Sequence, residues 1–339
     1  MSKTLTFFTL LFSLSMDAQV SINNLATESN SFLCQPGVIH KTPGKGASIS
    51  YNFNPDFQMR PPNAENPSEV RRNERIKAKL KVPLVNSRQF KAMLGFHYSI
   101  ERYHFDKIDP ENYPLFKRLN ETDLKSAGMA AYFVVPINEK YYTSFRLSAS
   151  YLGDYSKFIS FDSRYSVYRV AGLFGVKQRD DLEYGIGLLY TKSFRRTSLF
   201  PFGFYNQTFN KHWGIETAIP VSLKGRYNFN DGKMMLFGTE YSSQNYAMNV
   251  SEPVMNPFHK QPEKAPYHYR RSSLDLTVSY FHQLSGWTWL EFKTGYAFSL
   301  SSQAKDLPEN ISYDLKPSGS MVGMVTLFIS PPKYLLEGR

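Results

Sequence analysis

The sequence predicts an all-β fold, an antiparallel transmembrane β-barrel of about 12 strands within a range of roughly 10–14. The first observation behind this prediction is that apolar and polar residues alternate in segments of about 9–14 residues, longer than the strands of most soluble sheets. The second is a high aromatic content of 16%, with 23 Tyr and 27 Phe. The third is a mean hydropathy of −0.40, which argues against a bundle of membrane-spanning helices.

The N-terminal 18 residues have the pattern of a secretory signal peptide. Lys3 provides the positive charge, residues 5–14 form a short apolar run, and Ala18 suits the position before the cleavage site. The alternative is a buried N-terminal helix. We expect a flexible lead-in over residues 19–45, the barrel over 46–330 and a C-terminal tail over 331–339. The single cysteine, Cys34, cannot form a disulfide within the chain.

The clearest predicted strand lies between residues 75 and 84. Ile76, Ala78 and Leu80 occupy alternate positions, with lysines between them. Because successive side chains of a strand point to opposite faces, one face is apolar and the other is basic. Other segments follow the same alternation or are compatible with it: 92–100, 127–135, 141–151, 168–176, 184–190, 199–205, 223–229, 237–241, 274–280, 290–300 and 321–329.

The connections between these segments fall into two groups. Short polar turns are predicted near residues 86–88, 137–139, 178–181, 230–232 and 284–286. Long polar loops are predicted at 106–120, 251–271 and 302–318. Short periplasmic turns and long extracellular loops are typical of outer-membrane barrels. The segment 213–220 fits the alternation poorly and is interpreted as a broken strand or an inward fold, because Pro220 cannot donate to a central ladder.

Several motifs resemble a known family. They are Pro201-Phe202-Gly203-Phe204-Tyr205-Asn206, Phe209-Asn210-Lys211-His212-Trp213-Gly214-Ile215-Glu216, Ile219-Pro220, Gly225-Arg226-Tyr227-Asn228 and Gly238-Thr239-Glu240-Tyr241. With them the chain resembles Gram-negative outer-membrane β-barrel proteins of unknown function. The resemblance covers most of the chain after the leader. It implies a barrel in the cell outer membrane and supplies no catalytic residue.

Charged residues concentrate on the strand faces predicted to line the lumen. The basic ones are Arg75, Lys77, Lys79, Lys81, Lys91, Arg146, Arg169, Lys224, Arg226 and Lys293. The acidic ones are Glu101, Glu240, Asp275 and Glu291. A lumen with this excess of cations would attract anions, which favours a passive pore or transport-type barrel.

Two other functions stay open at this point. The first is a filled structural or adhesive barrel that acts through its extracellular loops, in which Lys77 and Lys79 pair with acids across the interior. The second is a barrel-embedded hydrolase. Ser99, His97 and Glu101 share one strand face at about 7 Å spacing, so their side chains could converge. We expect no enzyme, because this spacing is too long for direct hydrogen bonds at the backbone level and the resemblance supplies no catalytic residue.

The sequence contains no pattern for a cofactor or a metal, because it has no paired histidines at ligand spacing and no cysteine cluster. The net charge of +11 is compatible with nucleic acid, but the leader and the alternation argue against that partner. The predicted partners are outer-membrane lipid, lipopolysaccharide and the barrel-assembly machinery. The oligomeric state and the substrate cannot be predicted from these residues.

Overall fold

The computed structural model describes residue 34 and residues 36–62, 64–111, 113–193, 196–249, 266–306 and 312–330. In these ranges the strands form one continuous antiparallel sheet that closes on itself. Thirteen consecutive strands pair with their neighbours in chain order, and the last strand, β15, pairs with both β1 and β13. The strands are β1 (Ala47–Met59), β2 (Ser68–Asn86), β3 (Lys91–Lys107), β4 (Leu124–Pro136), β5 (Tyr141–Gly153), β6 (Ser166–Arg179), β7 (Leu182–Ser193), β8 (Arg196–Thr208), β9 (Trp213–Ile219), β10 (Ser222–Asn230), β11 (Lys233–Asn249), β12 (Pro266–Ser285), β13 (Thr288–Asp306), β14 (Ser312–Asp314) and β15 (Ser320–Ile329).

Fourteen of these strands make the closed ring, because β14 is a three-residue strand that pairs with the far end of β13 in line with β15. The all-β barrel predicted from the sequence is therefore confirmed, at the upper end of the expected strand number. Strand β1 is not among the predicted segments, and its alternation is interrupted where Pro55 pairs with Arg72 and Asp56 has a positive φ of 32°. The interpretation of 213–220 as broken was wrong, since β9 pairs with both β8 and β10.

The outer face of the sheet is apolar. Many large hydrophobic side chains there are exposed, among them Ile186 at 73%, Leu188 at 54% and Phe292 at 48%. A soluble protein rarely exposes contiguous apolar surface on this scale, whereas the lipid-facing band of a barrel requires it. The described part of the chain contains no helix that is long and apolar enough to cross a membrane.

Aromatic rings cover glycines on the neighbouring strands. A Cβ atom at Gly185 would collide with the Phe204 ring, and one at Gly187 would collide with the Phe202 ring. Both pairs lie directly opposite each other in the register of β7 and β8. Glycine at these positions therefore lets the rings lie flat against the wall, an arrangement that pins the strand register.

The long-loop end of the barrel is filled by a hydrophobic core. Helix α1 (Pro114–Glu121) begins with a proline, which suits the first helical turn because it needs no backbone donor. Its residues Leu115, Phe116 and Leu119 are at most 1% exposed. They pack with side chains from the extensions of several strands, including Met59, Val70, Tyr103, Met248, Tyr267, Tyr269 and Leu315.

The opposite, short-turn end is crossed by residues 36–46, part of the predicted lead-in. The backbone N–H of Ile39 donates to the carbonyl of Asp180 at 3.0 Å, and the Thr208 hydroxyl donates to the carbonyl of Ile39 at 2.7 Å. The Asn228 side chain reaches the carbonyl of His40 at 3.2 Å. This crossing segment therefore contacts β8, β10 and the β6–β7 turn before the chain enters β1.

Candidate solute path inside the barrel

The inward face of the strands is identified by contacts that cross the barrel. The Tyr246 hydroxyl on β11 donates to the Glu101 carboxylate on β3 at 2.7 Å, and both side chains are buried. Asn73 on β2 also donates to Glu101, at 3.1 Å. Arg75 lies 3.9 Å from the same carboxylate. The Gln244 amide, oriented to donate to Glu101 at 2.9 Å, accepts from Arg75 at 2.7 Å.

A second group of charges joins β10, β11 and β13. Glu240 accepts from Lys224 at 2.8 Å and from Lys293 at 3.0 Å. Asp275 lies opposite Glu240 in the register of β11 and β12 and accepts from the Ser273 hydroxyl at 2.6 Å. Lys224 and Lys293 therefore share the Glu240 carboxylate as their ion-pair partner on this wall.

The remaining acids hold the crossing segment. Glu216 on β9 accepts from the Thr42 backbone N–H at 2.9 Å and from the buried Arg226 guanidinium at 2.9 Å. Glu291 on β13 pairs with Lys45, which also lies over the Phe328 ring at 5.1 Å. Sequence analysis did not foresee Thr42 or Lys45, because the lead-in has no periodicity that would reveal its partners.

Another group of cations on the same face has no acidic partner. Within the described ranges, no carboxylate lies within ion-pair distance of Lys77, Lys79, Lys81, Arg146 or Arg169. The register places these residues on neighbouring rows of adjacent strands: Lys81, Gly95, Ala130, Ser148 and Arg169 lie opposite one another in turn across β2 to β6. Lys79 and Lys81 are exposed although they point inward, so the interior beside them is accessible to water. The pairing of Lys77 and Lys79 with acids expected for a filled barrel is not found here.

Two members of this unpaired basic group lie over the ring of Tyr132. The Lys81 ammonium is 5.5 Å from the centroid of the ring, and the Arg146 guanidinium is 5.3 Å from it. A Cβ atom at Gly95 would press on the same ring at 2.9 Å, so the ring lies against the wall. Lys91 is on the same face of β3, nearer the short-turn end, and is opposite Val134.

The residues of the hypothetical hydrolase site, Ser99, His97 and Glu101, do not form a catalytic arrangement. His97 Nε2 lies 3.3 Å from the Ser126 hydroxyl on β4, rather than beside Ser99. Glu101 is engaged by Arg75, Asn73 and Tyr246, as described above. No group of His, Cys, Asp and Glu residues in the described part of the chain has the arrangement of a metal site.

An apolar row, which is not among the predicted site residues, completes the inward face. Phe200, Phe202 and Phe204 share the face of β8 that carries Asn206 and Thr208, both buried through contacts inside the barrel. Phe200 is 54% exposed. It lies opposite Leu189, which lies opposite Ala171, which in turn lies opposite Arg146. A continuous row of residues therefore leads from the unpaired basic group to exposed aromatic surface.

A closed antiparallel barrel with an apolar outer belt and a charged, water-accessible interior defines the class of outer-membrane β-barrels. The chain itself belongs to the family described as a domain of unknown function, DUF6268, which matches residues 18–306. No curated protein matches the chain.

Solved structures with a related barrel have little sequence in common with this chain. It is similar to a FadL homologue from Pseudomonas aeruginosa, with 9% identity, a TM-score of 0.39, and coverage of 84% of this chain and 90% of the other. An outer membrane channel from Pseudomonas putida F1 has 9% identity, a TM-score of 0.40, and coverage of 89% and 100%. The outer membrane protease OmpT from Escherichia coli has 8% identity, a TM-score of 0.29, and coverage of 85% and 97%.

Proposed function

We propose that this protein is a transport-type barrel of the Gram-negative outer membrane, a passive pore whose basic interior favours anions, and that it is not an enzyme. The observation that carries this proposal is the unpaired basic group: Lys77, Lys79, Lys81, Arg146 and Arg169. Unpaired buried charges are very costly, so cations without acidic partners need water or mobile anions around them. The exposure of Lys79 and Lys81 supports such a solvated interior.

The location follows from the same proposal. The predicted signal peptide at 1–18 lies outside the described residues; it would direct export of the chain, and its removal would release the mature protein into the periplasm. There the barrel-assembly machinery would insert it, and the apolar outer face would contact lipid and lipopolysaccharide. The short turns and the crossing segment would then lie on the periplasmic side.

A structural or adhesive barrel is the second candidate, because both ends of the interior are obstructed. The core around α1 fills the long-loop end, and the crossing segment spans the short-turn end. Such a barrel would act through its extracellular loops, including the predicted loop 251–271, of which residues 251–265 lie outside the described residues and residues 266–271 belong to β12. The two candidates differ in whether ions cross the barrel.

Planar-bilayer recording separates these candidates. The purified protein should give conductance steps, and a salt gradient should give a reversal potential that indicates a preference for anions. The double variant Lys77→Gln/Lys79→Gln should shift selectivity towards cations and leave thermal stability unchanged, since neither lysine has an ion-pair partner to lose. Lys192→Gln, which removes a cation from the outer face of β7, is the matched control and should leave selectivity unchanged.

Two outcomes would contradict the proposal. Absence of conductance from the folded wild-type barrel would favour the structural candidate. A double variant that unfolds at lower temperature with unchanged conductance would indicate that the lysines hold a filled interior together.

A further inference from the structure

The barrel wall is shortened at strands β9 and β10. These strands have 7 and 9 residues, whereas their neighbours β8 and β11 have 13 and 17. With a rise of about 3.3 Å per residue and a tilt of about 40°, β9 covers only about 18 Å of the roughly 25 Å apolar band. The turn between β9 and β10 therefore ends within the depth of the membrane.

The longer neighbours continue past this short hairpin without a partner on that side. In the described ranges, β8 pairs with β9 only over residues 203–208, so residues 196–202 pair with β7 alone. On β11, the Tyr241 N–H donates to the Val221 carbonyl at 2.7 Å, and residues 242–246 pair with β12 alone. Because unpaired backbone groups are costly in hydrocarbon, strand edges of this kind are tolerated only where they border water or protein, and they interrupt the continuous wall of the barrel.

The gap is closed from above by β11. Its residue Ala247 bridges to Gly153 at the end of β5, and the Asp154 N–H donates to the Ala247 carbonyl at 3.3 Å. Tyr155, Tyr165 and Val167 pack against Ala247 at the same place. At this contact β11 thus pairs directly with β5, six strands away in the order of the sheet. The result is a side opening, bounded by β8, the β9–β10 turn and residues 242–247 of β11.

Residues beside the side opening have two chemical characters. Phe200 lies on the inward face of β8, at the unpaired edge, and is 54% exposed. In the same cross-strand row, Leu189 and Ala171 lead to Arg146, three strands or about 14 Å away. Arg169 lies on the adjacent inward position of β6, opposite Ser148. Apolar surface is thus nearest the lipid, and the unpaired cations are farther inside.

We propose that the side opening admits a single-chain anionic amphiphile, such as an alkyl carboxylate, from the bilayer into the interior. Its carboxylate binds the guanidinium groups of Arg146 and Arg169, whose planar donors suit an oxyanion. Its alkyl chain lies on Leu189, Phe200 and Phe202. A small inorganic anion would use the cations alone, and an uncharged hydrocarbon would use the aromatic row alone. This inference rests on the proposed function, and it names the class of substrate that the transport-type barrel would carry.

The test measures binding of decanoate by titration calorimetry to the full chain in phosphatidylcholine nanodiscs. Decanoate should bind, whereas butyrate, which lacks the chain, and decyltrimethylammonium, which has the opposite charge, should bind at least about tenfold more weakly. Arg146→Gln/Arg169→Gln should weaken decanoate binding by about tenfold or more. Lys192→Gln is the control for charge, since Lys192 lies on the outer face of β7.

The contact with the alkyl chain is tested by two variants on β8, one on the inward face and one on the outer face. Phe200→Ala should weaken decanoate binding by about fivefold, because the half-exposed ring loses part of a side chain's transfer free energy. Leu199→Ala, one residue away on the outer face, should change binding less than about twofold. Folding of each variant is checked by its heat-modifiable migration on a gel, and a variant that fails to fold is replaced by Phe200→Leu, for which a smaller loss is expected.

The inference is overturned if decyltrimethylammonium or butyrate binds as well as decanoate, or if Phe200→Ala and Leu199→Ala have the same effect. Loss of decanoate binding in phosphatidylglycerol nanodiscs would also overturn it, since the ligand would then be an anionic phospholipid. Anion selectivity without decanoate binding would refute only the proposal that the ligand is an amphiphile, and would leave the proposed function intact. Decanoate binding without conductance would refute the proposed pore function and leave the amphiphile-binding site supported.

Discussion

Neighbouring residues on one strand of this protein face different environments. On β7, Leu188 points outward and is 54% exposed, while Leu189 points inward beside Ala171 and Phe200. The same aliphatic side chain therefore contacts lipid at one position and a water-accessible interior at the next. A charged substitution distinguishes the two positions, because only the interior can solvate it.

Leu188→Arg should reduce the free energy of unfolding by about 2–4 kcal/mol, the cost of arginine on the lipid face near the bilayer midplane. Leu189→Arg should cost clearly less, because water reaches that face and screens the repulsion from nearby arginines. Denaturant titrations in the same lipid, together with recovery in the outer-membrane fraction, measure both effects. Equal losses at the two positions would contradict the assignment of the faces.

At the residue level, the sequence is most informative where the period of two is unbroken. It placed Lys224, Lys293 and Glu240 on a common face, and the structure brings these three together. It could not identify which cations would be neutralised, since the partners lie on strands distant in sequence. Nor did it select Phe200, because a phenylalanine in an alternating strand is most simply interpreted as lipid-facing.

Among the elements, α1 is the one helix in the described ranges that fixes the long-loop end. Phe116 is fully buried, with its ring 5.2 Å from Phe105 and 4.9 Å from Tyr113. Arg118 on the same helix pairs with the buried Asp154 carboxylate at 2.9 Å. The helix therefore ties the β3–β4 connection to the end of β5.

Phe116→Ala should release this end of the molecule, because truncating a fully buried phenylalanine costs about 3–5 kcal/mol. The barrel wall does not depend on the ring, so limited proteolysis should cleave the β3–β4 connection while heat-modifiable migration persists. Glu121→Ala, at an exposed position of the same helix, is the control and should leave the cleavage rate unchanged. Global loss of the barrel in Phe116→Ala would show that the core and the wall form one cooperative unit.

The elements also show where sequence patterns become insufficient. β1 was overlooked because Pro55 and Asp56 interrupt its alternation, although Ile49 and Tyr51 are exposed on the outer face as the pattern requires. β9 was doubted because of Pro220, which in the structure lies just after the strand ends at Ile219. In β9 a proline was given more weight than the flanking period. Pairing to two neighbours, which a single sequence does not contain, decides such cases.

At the scale of the whole molecule, the crossing segment controls the short-turn end. Within this segment the Val38 side chain is buried, at 7% exposure, while the adjacent Ile39 is 49% exposed. Cys34, just before it, is 2% exposed, and its backbone N–H donates to the Asn138 carbonyl at 2.8 Å. Burial raises the pKa of the Cys34 thiol, so the reactive thiolate is scarce at neutral pH.

The only cysteine of the chain is therefore a reporter for this end. Val38→Asp should displace the segment, because it buries a carboxylate, and should increase the rate of Cys34 alkylation by a maleimide by about tenfold or more. Ile39→Asp places the same charge at an exposed neighbour and should leave the rate nearly unchanged. If both variants react at the wild-type rate, the segment does not depend on the contacts of Val38.

The contacts of the crossing segment have a kinetic consequence. Gly37, Thr42 and Lys45 bind Glu183, Glu216 and Glu291, at sequence separations of 146, 174 and 246 residues. Contacts of such high order are entropically expensive to form early, and topologies dominated by them fold slowly. The residues that precede the first strand can dock only after strands near the other end of the chain exist. The start of the described chain is thus among the last parts to acquire its native partners, whatever the order of synthesis.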